Sequence, residues 1–284
     1  MLFSAVPPMG DTIALESLGG KGFGPVRMMG SISYATVSML GGAAMAGRME
    51  LTPYVTAAMA LLTVFGALCM PRVTGKRKKN DRGSFRVLFA NRELMTMMCF
   101  GALITIGVSF YTSFYSIHFT KTLGGSESLL GAAYFVASIS QIPFLLTGDR
   151  LYEKYGIGKL LVLSGVLLTI RWCILGLSHS LWVVFATQLL HSYTFLLVAF
   201  CMAKYINDTV PGSHKASAQM FYTVVLSSGM KIIANFTAGQ IAQVFGTAQS
   251  FLAAAALTAL PLIGLLIYLA RKRRAQSVQM KESE

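Results

Sequence analysis

The sequence is a succession of apolar runs of about bilayer length, and one long, dense block of positive charge interrupts it. That block is Arg72-Val73-Thr74-Gly75-Lys76-Arg77-Lys78-Lys79-Asn80-Asp81-Arg82-Gly83. Lys and Arg close to the end of a membrane span resist translocation, so a basic connector between spans stays on the cytoplasmic side. This single assignment fixes the side of every other loop. A basic run can also mark a nucleic-acid patch, but lipid-length segments on both flanks argue against that, and no nucleic-acid partner is expected. Hydrophobic residues make up 54% of the chain and charged residues 12%, about half the charge of a soluble protein. The net charge of +13 is gathered in a few connectors and therefore reports sidedness.

A transmembrane helix needs about 20 mostly apolar residues. Residues 1–15 are too short and too proline-broken, at Pro7 and Pro8, for a whole span, and they read as the end of one. Full spans are predicted over residues 28–47 and 53–70, before the basic loop. Six more are predicted over 93–119, 128–147, 160–177, 181–206, 220–244 and 251–270. With the basic loop inside, the connectors 148–159 and 207–215 and the tail Arg271-Lys272-Arg273-Arg274 also fall inside. The opposite connectors hold only Arg48 and Lys121 as basic residues, so charge alternates as sidedness requires. Both termini are expected in the cytoplasm. Trp182 falls at an outer span end, where an amphipathic ring prefers the headgroup zone, and Trp172 lies a turn or so deeper. Cys69, Cys99, Cys173 and Cys201 lie inside apolar runs without CxxC spacing and read as packing thiols.

Ionisable groups within spans are the functional candidates, because each costs about 2.5–3.5 kcal/mol on insertion scales and faces a cavity or a partner. Arg171 lies in the outer half of its helix, and His191 and Lys231 near mid-depth of theirs. Gln141, Gln188 and Asn235 are neutral polar residues at similar depth, for which cross-helix hydrogen bonding is the competing role. No Asp or Glu lies at mid-membrane in the last six spans. Tyr111, Phe114 and Tyr115, beside Ser109, Ser113 and Ser116, form either a substrate-facing stripe or ordinary packing. No constellation of His, Asp and Glu for a metal and no activated Ser or Cys pair is present, so an enzyme is not expected. No cofactor is expected either.

Several motifs resemble those of the major facilitator superfamily, within the group that holds lactose permease, other sugar–proton symporters, and phenylpropionate and nucleoside permeases. The stretch Phe23-Gly24-Pro25-Val26-Arg27-Met28-Met29-Gly30-Ser31 is similar to the start of that group's fifth helix. Pro8-Met9-Gly10-Asp11 is similar to the end of the fourth, and Ile106-Gly107-Val108-Ser109 to the seventh. His191 followed by Lys204-Tyr205-Ile206 resembles the tenth, with Arg171 preceding His191 by 20 positions. Gly148-Asp149-Arg150 with Gly156 and Lys159 looks like a loose copy of the cytoplasmic gating loop between helices eight and nine.

The resemblance implies an all-α integral membrane protein built on two six-helix halves. The chain would then hold a helix-four stub and eight full helices, lacking the first three to four. Residues 1–71 would be the remnant of the first half, 72–92 the basic central loop, 93–270 the complete second half and 271–284 the basic tail. It further implies a monomeric secondary transporter in the plasma membrane, moving a small solute such as a sugar or an aromatic acid together with protons. Asp11, Arg27, Tyr34, Tyr111, Tyr115 and Gln141 would contact solute, and Arg171, His191 and Lys231 would serve coupling. A non-transporting membrane binding or scaffold protein derived from such a permease is the alternative.

The departures are as informative. The coupling carboxylate expected one turn after His191 is Thr194, the lysine expected three residues before it is Gln188, and a glutamate expected before Ile142-Pro143 is Gln141. Two acids of the seventh helix fall on Ser113 and Ser116, and Lys231 is near, but not on, the group's lysine of the eleventh. Acids and bases are absent together, which keeps buried charge balanced, and the proton site is left to His191 or to residues outside this sequence.

Overall fold

The computed structural model describes residues 23–44, 49–69, 85–211 and 214–282, and everything seen there is helix or short connector. Twelve α-helical elements follow in order. They are α1 (Phe23–Ala44), α2 (Thr52–Leu68), α3 (Phe85–Ala90), α4 (Arg92–Ile104), α5 (Ile106–Ile117), α6 (Glu127–Ile139), α7 (Gln141–Leu177), α8 (Leu181–Ala186), α9 (Leu197–Thr209), α10 (Lys215–Met220), α11 (Ser228–Phe245) and α12 (Thr247–Glu282). The helix-four stub, with Asp11, lies outside the described residues.

Local chemistry sets the starts and stops. The Asn91 side chain accepts from the Leu94 N–H at 3.0 Å, and the Ser126 side chain from the Leu129 N–H at 3.2 Å, each capping a helix whose first-turn donors have no partner inside it. Pro53 stands in the first turn of α2, where its missing N–H is no loss. Glycines with positive φ stand at Gly156 (70°) and Gly246 (92°), a backbone shape that side chains with a Cβ resist.

Gly156 does more than kink α7. Ser140, just before α7, reaches the Gln188 carbonyl at 3.4 Å, while Arg171 reaches the Gln188 side chain at 3.0 Å. In one straight helix Ser140 and Arg171 would stand about 46 Å apart. The chain therefore doubles back at Gly156, and α6 with the first part of α7 makes one span and the rest of α7 the next. The expected connector at 148–159 is narrower than its polar composition suggests: Gly148, Asp149 and Arg150 are helical, and only Gly156 leaves the helix. Lys159 opens the returning span.

Stretches long and apolar enough to cross a bilayer are, among the described residues, Arg92–Thr122, Glu127–Leu177 and Thr247–Ser277, with Leu181–Leu190 and Ser192–Thr209 forming a fourth across a 41° bend. Packing is tightest between the returning arm of α7 and α12. A methyl group added at Gly158, Gly165 or Gly176 would come within 3.0, 3.0 and 2.7 Å of Leu269, Leu262 and Leu252 respectively. The pairing runs antiparallel, leucine into glycine, as expected where small residues let membrane helices approach. Outward faces are apolar too, with Leu260, Ile263, Leu266 and Ile267 of α12 exposed, and a surface of that kind suits lipid. Helix α2 buries none of its residues.

Two ionic contacts share one end of the bundle. Lys204, near the end of α9, meets Asp149 at 2.6 Å and Glu153 at 3.4 Å. Lys272, in the tail of α12, pairs with Glu93 at the start of α4. The tail and the exit of the basic loop therefore lie together.

Candidate functional site

The side chains of greatest interest gather around Arg171, which is 1% exposed and lies about 22 Å along the returning helix from Gly156. Its ligands come from the span between residues 181 and 209, and that span is not a regular helix. A 3-10 turn (Thr187–Leu190) runs into a π turn (Ser192–Leu196). Mixed pitch of this kind re-aims side chains that a straight helix would scatter round its surface.

Three neutral groups converge. The Arg171 Nη1 donates to Thr194 Oγ1 at 3.1 Å and lies 3.3 Å from His191 Nδ1, and Nη2 donates to Gln188 Oε1 at 3.0 Å. A guanidinium can only donate, so His191 Nδ1 accepts and the ring carries its hydrogen on Nε2. Gln188 Oε1 also accepts from the Tyr111 hydroxyl at 2.9 Å. Gln188 and Thr194 are the two positions where a charged pair was expected, and here both are neutral ligands of one arginine. Among the described residues no carboxylate pairs with Arg171.

Aromatic rings complete the surroundings. The guanidinium carbon lies 4.7 Å from the Tyr111 ring centre and 5.6 Å from that of Trp172, so π faces supply part of the missing counter-charge. Tyr111 lies against Tyr115 at 4.7 Å and against His191 at 5.9 Å, and Phe195 covers the other side of His191 at 5.7 Å. Tyr115 in turn meets Tyr134 edge-on at 5.8 Å. Gly107 makes room for the indole, since a methyl there would stand 2.4 Å from Trp172 Nε1.

Several buried polar atoms lack a protein partner: Arg171 Nε, Gln188 Nε2, Tyr115 OH, Trp172 Nε1, Ser109 Oγ and Ser192 Oγ.

The expected site residues divide. Arg171, His191 and Tyr111 are joined directly, and Tyr115 stacks behind Tyr111. Gln141 stands elsewhere: it accepts from Ser31 of α1 at 3.0 Å, joining α1 to the start of α7. Tyr34 is on α1 and 58% exposed. Arg27 is placed on α1 by its backbone alone. Lys231 is exposed on α11 and no hydrogen bond joins it to the Arg171 group. One turn on, Asn235 accepts from Ser113 at 3.0 Å, the cross-helix bond that was its competing role. Sequence reasoning set Trp172 a turn or so deeper than the headgroup zone but missed it as a site residue, and missed Tyr134. The one hint was that Trp172 follows Arg171, the only buried arginine among the described residues.

Long apolar rods wrapped around one buried arginine define an all-α, multi-pass membrane protein. The chain belongs to the MFS_1 like family, whose model matches residues 1–253. It is 24% identical over 244 residues to an uncharacterised transporter, YwbF, of Bacillus subtilis, covering 84% of this chain and 60% of that one. It is 25% identical over 226 residues to a maltose permease of Geobacillus stearothermophilus, covering 78% and 57%. It is 23% identical over 257 residues to a probable 3-phenylpropionic acid transporter of Escherichia coli, covering 87% and 66%. The chain thus spans about three fifths of the length of such relatives. The fold matches that of the nucleoside transporter NupG with a TM-score of 0.64 at 16% identity, over 89% of this chain and 70% of that one.

Proposed function

We propose that this chain acts in secondary active transport of a small solute across the plasma membrane, by alternating access and with protons as the coupling ion. Relatives named as a maltose permease and a probable 3-phenylpropionic acid transporter support a solute among the sugars or aromatic acids. The observation that carries the reading is Arg171, fully buried within the bundle and held by a span whose pitch is irregular. A buried cation in lipid marks a solute or ion pathway, and an irregular backbone at that depth is tolerated where it lines one.

On this reading Tyr111 and Tyr115, with Tyr34, Arg27 and Asp11 from residues 1–71, face solute, and Gln141 keeps that part against the 93–270 bundle. His191 carries the coupled proton, its Nδ1 being released for protonation when solute draws Arg171 away. Gly148, Asp149, Arg150 and Lys159, flanking the reversal at Gly156, gate the cytoplasmic side, and Lys231 adds positive potential along the route. The shared end of Lys272 and Glu93 supports a cytoplasmic tail and a cytoplasmic basic loop at 72–92.

The test is uptake of radiolabelled maltose and 3-phenylpropionate into proteoliposomes holding the purified chain under an imposed pH gradient. Accumulation that collapses with a protonophore is expected. Saturable binding with no accumulation would instead favour a non-transporting binding protein.

A further inference from the structure

The atoms left without partners around Arg171 say what kind of solute the site is built for. Arg171 Nε, Gln188 Nε2 and Trp172 Nε1 are buried, unpartnered and donors only, and the unpartnered hydroxyls of Tyr115, Ser109 and Ser192 can donate as well as accept. His191, with Nδ1 already accepting, offers a further donor in Nε2–H. Gln188 Oε1, the strongest acceptor nearby, already serves Tyr111 and Arg171. A polyol presents as many donors as acceptors and needs both kinds in return, which a carboxylate–guanidinium pair supplies. Among the described residues no carboxylate reaches Arg171: the position that bonds its Nη1 is Thr194, and the acids that form ion pairs, Glu93, Asp149 and Glu153, are gathered at one end of the bundle.

An isolated buried cation is costly unless an anion meets it. Hydroxyl, amide and π faces offset part of that cost and leave the formal charge in place. Tyr111, Trp172, Tyr115 and Phe195 are flat apolar walls beside it, suited to a planar ring.

Resting on the transport reading and narrowing it, we infer that the Arg171 site takes an organic monoanion, an aromatic carboxylate, whose carboxylate supplies the acceptors that Arg171 Nε and Gln188 Nε2 lack. The solute completes an ion pair of which the protein holds one half.

Trp172 reports directly on the site. In a Trp182→Phe background it is the remaining tryptophan. Purified full-length chain is titrated with phenylacetate and with its neutral near-isostere phenylacetamide, and emission is followed. Phenylacetate should give a saturable change and phenylacetamide should bind at least tenfold more weakly. Thr194→Glu, which installs a carboxylate where Arg171 Nη1 now finds a hydroxyl, should cut the apparent phenylacetate affinity at least tenfold without lowering thermal stability. Arg171→Gln should do the same, and stands in should the first variant fail to fold. Equal response to acid and amide, or full phenylacetate affinity in both variants, overturns the inference. Phenylacetate binding without uptake into proteoliposomes would sink transport and leave the anion site standing. Proton-driven maltose uptake with no phenylacetate response would sink the anion site alone.

Discussion

Lys204 and Arg171 both deal with the span between 181 and 209, and they are treated in opposite ways. Lys204 has two carboxylates, on side chains 72% and 71% exposed. Arg171 has hydroxyl, imidazole and amide ligands and is 1% exposed. At the wet end, water already stabilises both signs of charge, so an ion pair there adds little and fixes mainly position. In the interior a permanent carboxylate would hold the guanidinium shut, whereas neutral acceptors hold it in place and leave it able to receive an anion. Permanent pairing goes where charge is inexpensive, and incomplete pairing where charge does the work.

The comparison breaks most decisively at Arg171. Arg171→Leu should lower uptake at least a hundredfold in proteoliposomes while membrane insertion persists, and retention of a tenth of normal activity would reduce the residue to packing. Gln188→Leu strands the Arg171 Nη2 and the Tyr111 hydroxyl together. It should destabilise the purified protein by about 1–3 kcal/mol, since each buried donor left unmade carries that order of penalty, read as a fall in thermal midpoint. Gly156→Ala forces a Cβ into a left-handed backbone at the reversal. About 1–2 kcal/mol is expected from that strain, and an unchanged midpoint would show that the turn can remodel. Lys204→Gln should be mildest, under about 1 kcal/mol and fading at high salt, as for an exposed pair. A larger loss would erase the contrast between the two ends.

Helices and their order were readable because lipid asks only for length and oiliness. The predicted 128–147 and 160–177 are the two arms of α7 and its predecessor. Their ends were misjudged because Asp149, Arg150, Glu153 and Lys154 look like a loop, whereas a helix can run on past the oil with charged residues on its surface. Arg171 and His191 were legible as expensive residues, and Thr194 and Gln188 as departures from a family pattern. That those departures ligate the arginine was not legible. Periodicity assumes one pitch, and the span that carries them changes pitch twice between Thr187 and Leu196. Trp172 was missed as a site residue for a related reason: depth can be counted along a helix, but which face meets a neighbour cannot.

That change of winding has a consequence for motion. A π turn holds one residue more than a regular turn, and taking up that slack would rotate the chain beyond it by about 100°. Thr194 lies within the π turn itself, next to His191 and a few residues beyond Gln188. A local rewinding would swing Thr194 away from the guanidinium while Gln188 kept its hold, so that the arginine's grip could be loosened one finger at a time without the bundle coming apart.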